Sequence, residues 1–410
     1  MQSIEECMSI ALVFNPGSNS LKFELIEVTA GQQRASEATK LASAAIDGIG
    51  GDATLLVFEG REMVSEQPAE ALDIVTAAHT AFGWLSKQKT LASPMKHLDF
   101  AGVRVVHGGQ KFTAAARVSP QVRSEIEFLE DLAPLHNKSS LDVLDAVAQA
   151  MPELPAFVTF DTAHRTLPEV AWRYPIEREA ADRHGVRKFG FHGVSHRYML
   201  EQYAHTVGRL NEDSTIVTLH LESGCSACAI SHGKSVDTTM GMTPLEGLMM
   251  GSRSGSVDPA IVPYLMRKEN KSADEILMMF NKHSGLKGIA GGSLDTRVLV
   301  QRGDEAARLA LAMFSYRVRL AVGAYLAVLG NAEAVLFGGG IGEDSPWLRE
   351  EVCAGLAGWG LELDHTINDS SIAGQTRITT DASRLHAWAM PVEEGVQIAF
   401  ECSQVFQSEK

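Results

Sequence analysis

The chain is poor in cysteine, poor in aromatic residues and short of positive charge. Its five cysteines, Cys7, Cys225, Cys228, Cys353 and Cys402, are too few and too scattered over 410 residues for a disulfide framework. Cys225 and Cys228 form a CxxC, but no second pair and no neighbouring pair of histidines completes a zinc site, so small buried thiols are expected. No apolar run approaches the roughly 18 to 20 residues of a membrane helix. Met1 to Ser9 lacks the basic and apolar regions of a signal peptide, and a cytoplasmic protein is expected. The 36 basic residues stand against 51 acidic ones, and the net charge of −15 opposes binding to nucleic acid or to an anionic membrane. A GxxxxGK(S/T) motif is missing, which excludes a P-loop, and FGGGIGED does not keep GxGxxG spacing.

The length fits two domains of ordinary size, and no low-complexity linker or short-period repeat separates them. A strand at 10–14, a Gly-Ser turn and a strand at 23–28 predict a hairpin opening an α/β domain. Helical patterns follow at 68–88, 120–132 and 139–150, with strands at 54–58, 100–106 and 156–160. The second half repeats the logic with a strand-turn-strand at 215–230 and a strand at 334–337 that runs into FGGGIGED. Between them a long helix is expected at 303–329, its apolar face carrying Leu309, Met313, Tyr316, Leu320 and Ala327.

Several strand ends carry groups suited to anions. In FNPGSNSLKFEL, Gly17 permits a tight turn beside Ser18, Asn19 and Ser20, which alone is either an anion-binding turn or an ordinary polar hairpin. VRVVHGGQKF ends a strand with Arg104, whose planar fork suits a carboxylate or phosphate, or equally a salt bridge. LAPLHNKSS contributes His136. In FDTAHRTLP, Asp161 follows an apolar strand, where it would face a ligand or cap a turn. KFGFHGVSHRY places His192 and His196 four apart, but Gly193 and the lack of HExxH argue for packing over zinc. MTPLEGLMMGSRSGSVDPAIV sets Arg253 in a Gly-Ser turn before a helix beginning near Asp258-Pro259. Gly-Ser turns, two arginines, histidines and isolated acids suit phosphoryl transfer, in which a protein positions groups and neutralises charge while a metal bridges phosphates.

Taken in order, NPGSNSLK, RVVHGGQKF, APLHN, FDTA, GVRKFGFHGVSH, GKSVDTTMGMTPLEGLMMGSRSGSVDPAIVP and FGGGIGE resemble the acetate kinase family, propionate kinases included, over nearly the whole chain. The resemblance implies an α/β protein of two actin-like (ribonuclease H-like) domains flanking a catalytic cleft. One would span 8–164 and be completed by a C-terminal helix at 392–408; the other, 165–391, would carry the nucleotide site and the interface of a homodimer. It implies reversible transfer of the ATP γ-phosphoryl to acetate, with ATP and ADP as co-substrates and magnesium, or manganese in its place. Arg104 and Arg253 would hold the carboxylate and the transferring phosphoryl group, His192 would stabilise its charge, and Asp161 would orient substrate or metal. Asn15 and Glu394 would lie on the metal side, and Ser18, Ser20, Lys22, His136 and His196 would support the site. Val106, Leu135, Phe191 and Pro244 would form the alkyl pocket. His220, Ser223, Gly224, Ser226, Asp295, Thr296, Arg297, Gly340, Ile341, Gly342 and Asp344 would bind the nucleotide, the last glycines as a turn under base or ribose.

The chain departs from the family pattern on the donor side. HLGNGSS becomes His220-Leu221-Glu222-Ser223-Gly224-Cys225-Ser226, Asp344 replaces an asparagine, and PVEEGVQIA brings Glu393 beside Glu394 but loses the acid after it. FDTAHRTLP is one residue short, which leaves His164 without an assigned role. Glu222 would turn to solvent, or recruit magnesium or a nearby base, or weaken phosphate binding. Expected rivals to acetate kinase are therefore a propionate or longer-acid kinase, a pyrophosphate-dependent enzyme, and a nucleotide- or acyl-phosphate-binding protein with little catalysis.

Overall fold

The structure, a computed structural model, describes residues 8–17, 19–133, 136–163 and 167–410. Ser18, Leu135, His164 and Cys7 lie outside the described residues. The chain forms two compact units, one from the residues up to Ala163 with Gly193–Tyr198 and Glu393–Lys410, the other from the remainder.

The first unit is built on β1 (Met8–Pro16), β2 (Ser20–Thr29), β3 (Thr39–Asp47), β4 (Thr54–Glu59), β5 (Glu62–Pro68), β6 (Leu98–Val105), β7 (Ala116–Arg117) and β8 (Ala156–Phe160). Its sheet has the order β5-β4-β3-β2-β1-β6-β8-β7. β1, a run of apolar residues buried almost throughout, is central; β2 alternates buried with more open positions. β1 to β5 pair antiparallel, whereas β1, β6 and β8 run parallel. The helix Ile74–Lys87 begins later than the pattern at 68–88 predicts, because Glu62–Pro68 is a strand and Asp73 supplies a capping box with Thr76.

The second unit contains β9 (Ile216–Leu221), β10 (Cys225–Ser231), β11 (Lys234–Thr238), β12 (Ala334–Gly338), β13 (Thr376–Arg377) and β14 (His386–Ala389) in the order β11-β10-β9-β12-β14-β13. Here too the first three strands are antiparallel and the next two parallel to the first. Both sheets therefore place the end of their first strand, Pro16 in one and Leu221 in the other, at the carboxyl end of parallel strands, where α/β proteins bind ligands.

Three further sequence expectations are corrected. The segment Gly339–Asp344 is not an open glycine turn but a short helix starting on β12. The long helix is Glu305–Leu329, and the face it buries carries Ala307, Ala310, Phe314, Val318, Val322, Tyr325 and Leu326. Leu309 and Tyr316 are 54% exposed and Leu320 is 49% exposed. Both sides of this helix are apolar, so period alone could not choose between them; the alanines let it lie close to β10, and that side wins. An 18-residue window of this helix is apolar enough to cross a membrane by composition, contrary to the expectation of none, but Arg317 and Arg319 sit in its middle.

Candidate active site

In the first unit, parallel pairing of β6 with β8 brings Arg104 and Asp161 to adjacent strand ends, with Asp161 N donating to Val105 O (3.0 Å). Arg104 Nε donates to Asp161 Oδ1 (2.7 Å) and Nη2 to Oδ2, so the pair is bidentate. The Asp161 carboxylate is 1% exposed, and its role is to hold Arg104 rather than to cap a turn. Arg104 Nη1 also donates to Asn15 Oδ1 (2.8 Å), and Asn15 Nδ2 donates to Glu394 Oε2 (2.6 Å). Ser195 Oγ donates to the other oxygen of Glu394. Five distant segments thus form one chain of groups: Asp161, Arg104, Asn15, Glu394 and Ser195. Gly193 is needed where this chain closes: its N–H donates to Asp161 O (2.9 Å), and a Cβ there would stand 2.4 Å from that oxygen.

Glu393 takes no part in this chain, because Lys40 holds it and also pairs with Glu24 (2.8 Å). Burial opposes the Lys40 charge, but Glu24 and Glu393 outweigh it and raise the Lys40 pKa. Among the described residues no group of three or more His, Cys, Asp or Glu could hold a metal ion. One carboxylate beside an amide still suits magnesium, which keeps several waters and takes phosphate oxygens as ligands.

In the second unit, His192 adopts φ +57° immediately before the helix Gly193–Thr206. Its Nδ1 lies 2.9 Å from Ser226 Oγ on β10, and its ring is 4.4 Å from that of His220 on β9. The other face of the imidazole points to the 222–224 turn. A Cβ on Gly224 would stand 3.3 Å from Arg253 Nη1 and 3.4 Å from His192 Nε2, so a guanidinium and an imidazole converge where glycine leaves room. Arg253 is steadied by Nη1 donating to Pro244 O (3.4 Å). Burial pushes the Cys225 thiol up to about 12, which keeps it a neutral, unreactive group beside this turn.

A pocket of about 240 Å³ adjoins the turn, lined by Glu222, Ser223, Leu294, Asp295, Thr296, Arg297, Gly340, Ile341, Asp344 and Ser345. Asp295 caps the helix Thr296–Arg302 and binds Arg297 Nη2 (2.9 Å); the hydrogen bonds from Arg297 lower its pKa. Glu222 is half-exposed, lines the pocket and has Oε2 3.8 Å from His220 Nε2. Gly342 is buried in the short helix behind the pocket.

A model of the Acetokinase family matches residues 10–400. The chain belongs to this family. An acetate kinase of Chloroherpeton thalassium is 39% identical over 95% of the chain and 97% of that protein. Among solved structures, Porphyromonas gingivalis acetate kinase (33% identity, TM-score 0.86) covers 97% of the chain and 100% of its own. A propionate kinase from Francisella tularensis (33% identity, TM-score 0.87) covers 97% and 99%. The fold is the two-domain actin-like α/β architecture of these acetokinases.

Of the other expected acetokinase residues, Val106 is buried beside β6 in the first unit, while Phe191 and Pro244 belong to the second. Ser20 and Lys22 open β2, His136 precedes the helix Asn137–Ala150, and His196 is buried in the helix Gly193–Thr206. Sequence reasoning missed Ser195, Lys40 and Glu24. Ser195 stood inside GFHGVSH, but serine is too common for the motif to single it out. Nothing local marks Lys40 or Glu24: they pair with each other across 16 positions, and Lys40 reaches Glu393, 353 positions away.

Proposed function

We propose that this acetokinase is an acetate kinase, transferring the γ-phosphoryl of ATP to acetate by direct in-line displacement to give acetyl phosphate and ADP, reversibly. The convergence of His192 Nε2 and Arg253 Nη1 above Gly224 carries this reading: two nitrogen donors and a glycine turn supply fixed positive potential where a phosphoryl group's charge spreads. Arg104, held planar by Asp161 and Asn15, takes the carboxylate of the acceptor and is already oriented when it binds. His192 hydrogen-bonds the transferring group through Nε2, since Nδ1 is engaged with Ser226. ATP and ADP occupy the pocket at Asp295, Thr296, Arg297, Gly340, Ile341 and Asp344, and Ser223, Gly224 and Ser226 face the phosphates. Magnesium, when bound, neutralises phosphate charge; Glu394 and Asn15 would hold it, with Ser195 and Arg104 fixing their orientation.

Propionate is the second acceptor to test, favoured by the likeness to the Francisella propionate kinase, since one methylene is worth only about 1–3 kcal/mol of discrimination. We place the protein in the cytoplasm as a homodimer. Support for the dimer comes from the exposed Leu309, Tyr316, Leu320 and Val328 of the long helix, an apolar face suited to a second copy of the chain.

The deciding experiment traps acyl phosphate with hydroxylamine, using magnesium-ATP with acetate, propionate and butyrate, and pyrophosphate as the rival donor. ATP-dependent product that is largest with acetate is expected. A protein that binds nucleotide yet forms no acyl phosphate with any donor would instead be a binding protein.

A further inference from the structure

Between β11 and the helix Ile261–Glu269, residues 239–260 form neither helix nor strand, yet they carry Arg253. A segment of that length without backbone ladders keeps one shape where other groups hold it. The backbone around Arg253 is braced by residues 280–287: Ser254 N donates to Phe280 O (2.9 Å) and Leu286 N to Met250 O (2.9 Å). The guanidinium has a different support. Its Nη1 donates to Pro244 O (3.4 Å), so its aim depends on the segment 241–246 of the same loop.

That segment is tied to two others. Phe189 N and Gly190 N both donate to Gly241 O (3.0 and 3.2 Å), and the chain runs from Gly190 directly into His192. Lys188 N donates to Trp172 O (2.8 Å), which brings residues 172–174 alongside. The Lys188 ammonium fastens the assembly to the end of β11, at Asp237 Oδ1 (3.1 Å) and Thr238 O (3.0 Å).

Tyr174 closes the arrangement. Its hydroxyl donates to Glu246 Oε2 and accepts from Met242 N (2.9 Å), so one oxygen grips both ends of 242–246. Gly241 leaves the room for this: a Cβ there would overlap both the Tyr174 hydroxyl and the Glu246 carboxylate. Burial, with Glu246 beside it, raises the Tyr174 pKa, and the hydroxyl stays protonated and donating at neutral pH. Among the described residues Glu246 makes no ion pair, and Tyr174 is its hydrogen-bond donor. The carboxylate therefore serves to anchor the loop.

We propose that Tyr174, through Glu246 and Met242, is a positioning residue for both phosphoryl-binding side chains. It fixes residues 241–246, from which Gly241 O orients the approach to His192 and Pro244 O orients the Arg253 guanidinium. This rests on the kinase reading for what those two side chains hold. None of the hydrogen bonds of the Tyr174 hydroxyl goes to a residue that lines the nucleotide pocket, so its loss alters the rate and spares nucleotide binding.

The test is steady-state acyl phosphate formation by the full chain, with thermal unfolding of the same samples. Tyr174→Phe, which keeps the ring and removes the hydroxyl, should lower kcat at least tenfold while the KM values for ATP and acetate stay within threefold. Glu246→Leu should match it, whereas Glu246→Gln, which keeps an acceptor for the hydroxyl, should recover most of the rate. Tyr174→Phe with Glu246→Leu should be no slower than the slower single variant, because both remove one interaction. A kcat within threefold of wild type in Tyr174→Phe, a Glu246→Gln variant as slow as Glu246→Leu, or losses that multiply in the double variant would each overturn the proposal. Inorganic phosphate binding, followed by titration calorimetry, separates the two readings. Should the wild type form no acyl phosphate, the kinase reading falls, and the proposal is then judged by phosphate alone: affinity at least threefold weaker in Tyr174→Phe upholds it, and affinity unchanged or absent in both proteins overturns it. Normal turnover in wild type and Tyr174→Phe alike removes this proposal and leaves the kinase reading standing.

Discussion

His192 Nε2 and Arg253 Nη1, from segments 61 positions apart in the chain, reach the same point above Gly224, 3.4 and 3.3 Å from where a Cβ would stand. Gly224→Ala puts a methyl group into the space assigned to the phosphoryl group. The expected result is a fall of roughly a hundredfold or more in kcat/KM, comparable to losing one preorganised donor. Thermal stability should change little, because the neighbours are side-chain ends that can give a few tenths of an ångström. Activity within threefold of wild type would mean that the phosphoryl group sits elsewhere.

Arg104 and Asp161 form a buried pair whose members have different fates on substitution. Arg104→Ala leaves a carboxylate buried without its cation, a situation that costs about 3–5 kcal/mol of stability. Arg104→Ala with Asp161→Asn should recover much of that stability and none of the activity. Urea unfolding and hydroxamate assays on the same samples check this. A double variant as unstable as the single one would show that the pair is not the source of the loss.

Ser195 tests the metal side without removing a candidate ligand. Ser195→Ala frees one oxygen of Glu394 from its donor, so the carboxylate loses orientation. The apparent KM for magnesium should rise several-fold to tenfold, in the range for losing a partner behind a metal ligand, while nucleotide affinity measured without metal stays put. Equal changes in both would point to a general effect on folding.

Buried thiols give a signed pH dependence. Cys225 and Cys353 are each pushed up to about 12 by burial, from an ordinary value near 9. The unfolded chain therefore loses these protons first as pH rises. Their contribution to stability is complete below pH 9 and is lost between about 9 and 12, with a limiting slope of about 1.4 kcal/mol per pH unit per thiol. Cys353→Ala should flatten the alkaline fall of stability in urea titrations. Native protein at pH 8 should resist iodoacetamide at Cys225, and rapid alkylation there would contradict the burial.

The exposed side of the helix Glu305–Leu329 predicts association. Leu309→Glu with Leu320→Glu should shift a dimer to a monomer in analytical ultracentrifugation, and both residues are exposed in the single chain, so folding should survive. A monomeric wild type would remove the dimer proposal.

The α/β class and most elements were legible because β1, β6, β8, β9 and β12 are short apolar runs bounded by glycine and polar turns, a pattern that depends only on neighbouring residues. Arg104, Asp161, His192 and Arg253 were legible as types, since each stands at a strand end or glycine turn and brings the chemistry phosphates need. Their partners were not. Asn15 meeting Glu394, Ser195 joining them, Lys40 holding Glu393 and residues 280–287 bracing the Arg253 loop are contacts between segments tens to hundreds of residues apart, made when the sheets pair and helices dock. The inward side of the long helix was equally hidden, because Leu309, Tyr316 and Leu320 are as apolar as the Phe314, Val318 and Val322 that it buries. Local sequence specifies which elements form and which chemistry they carry; packing selects the face that turns inward and the groups that meet, because those depend on distances that no neighbouring residue encodes.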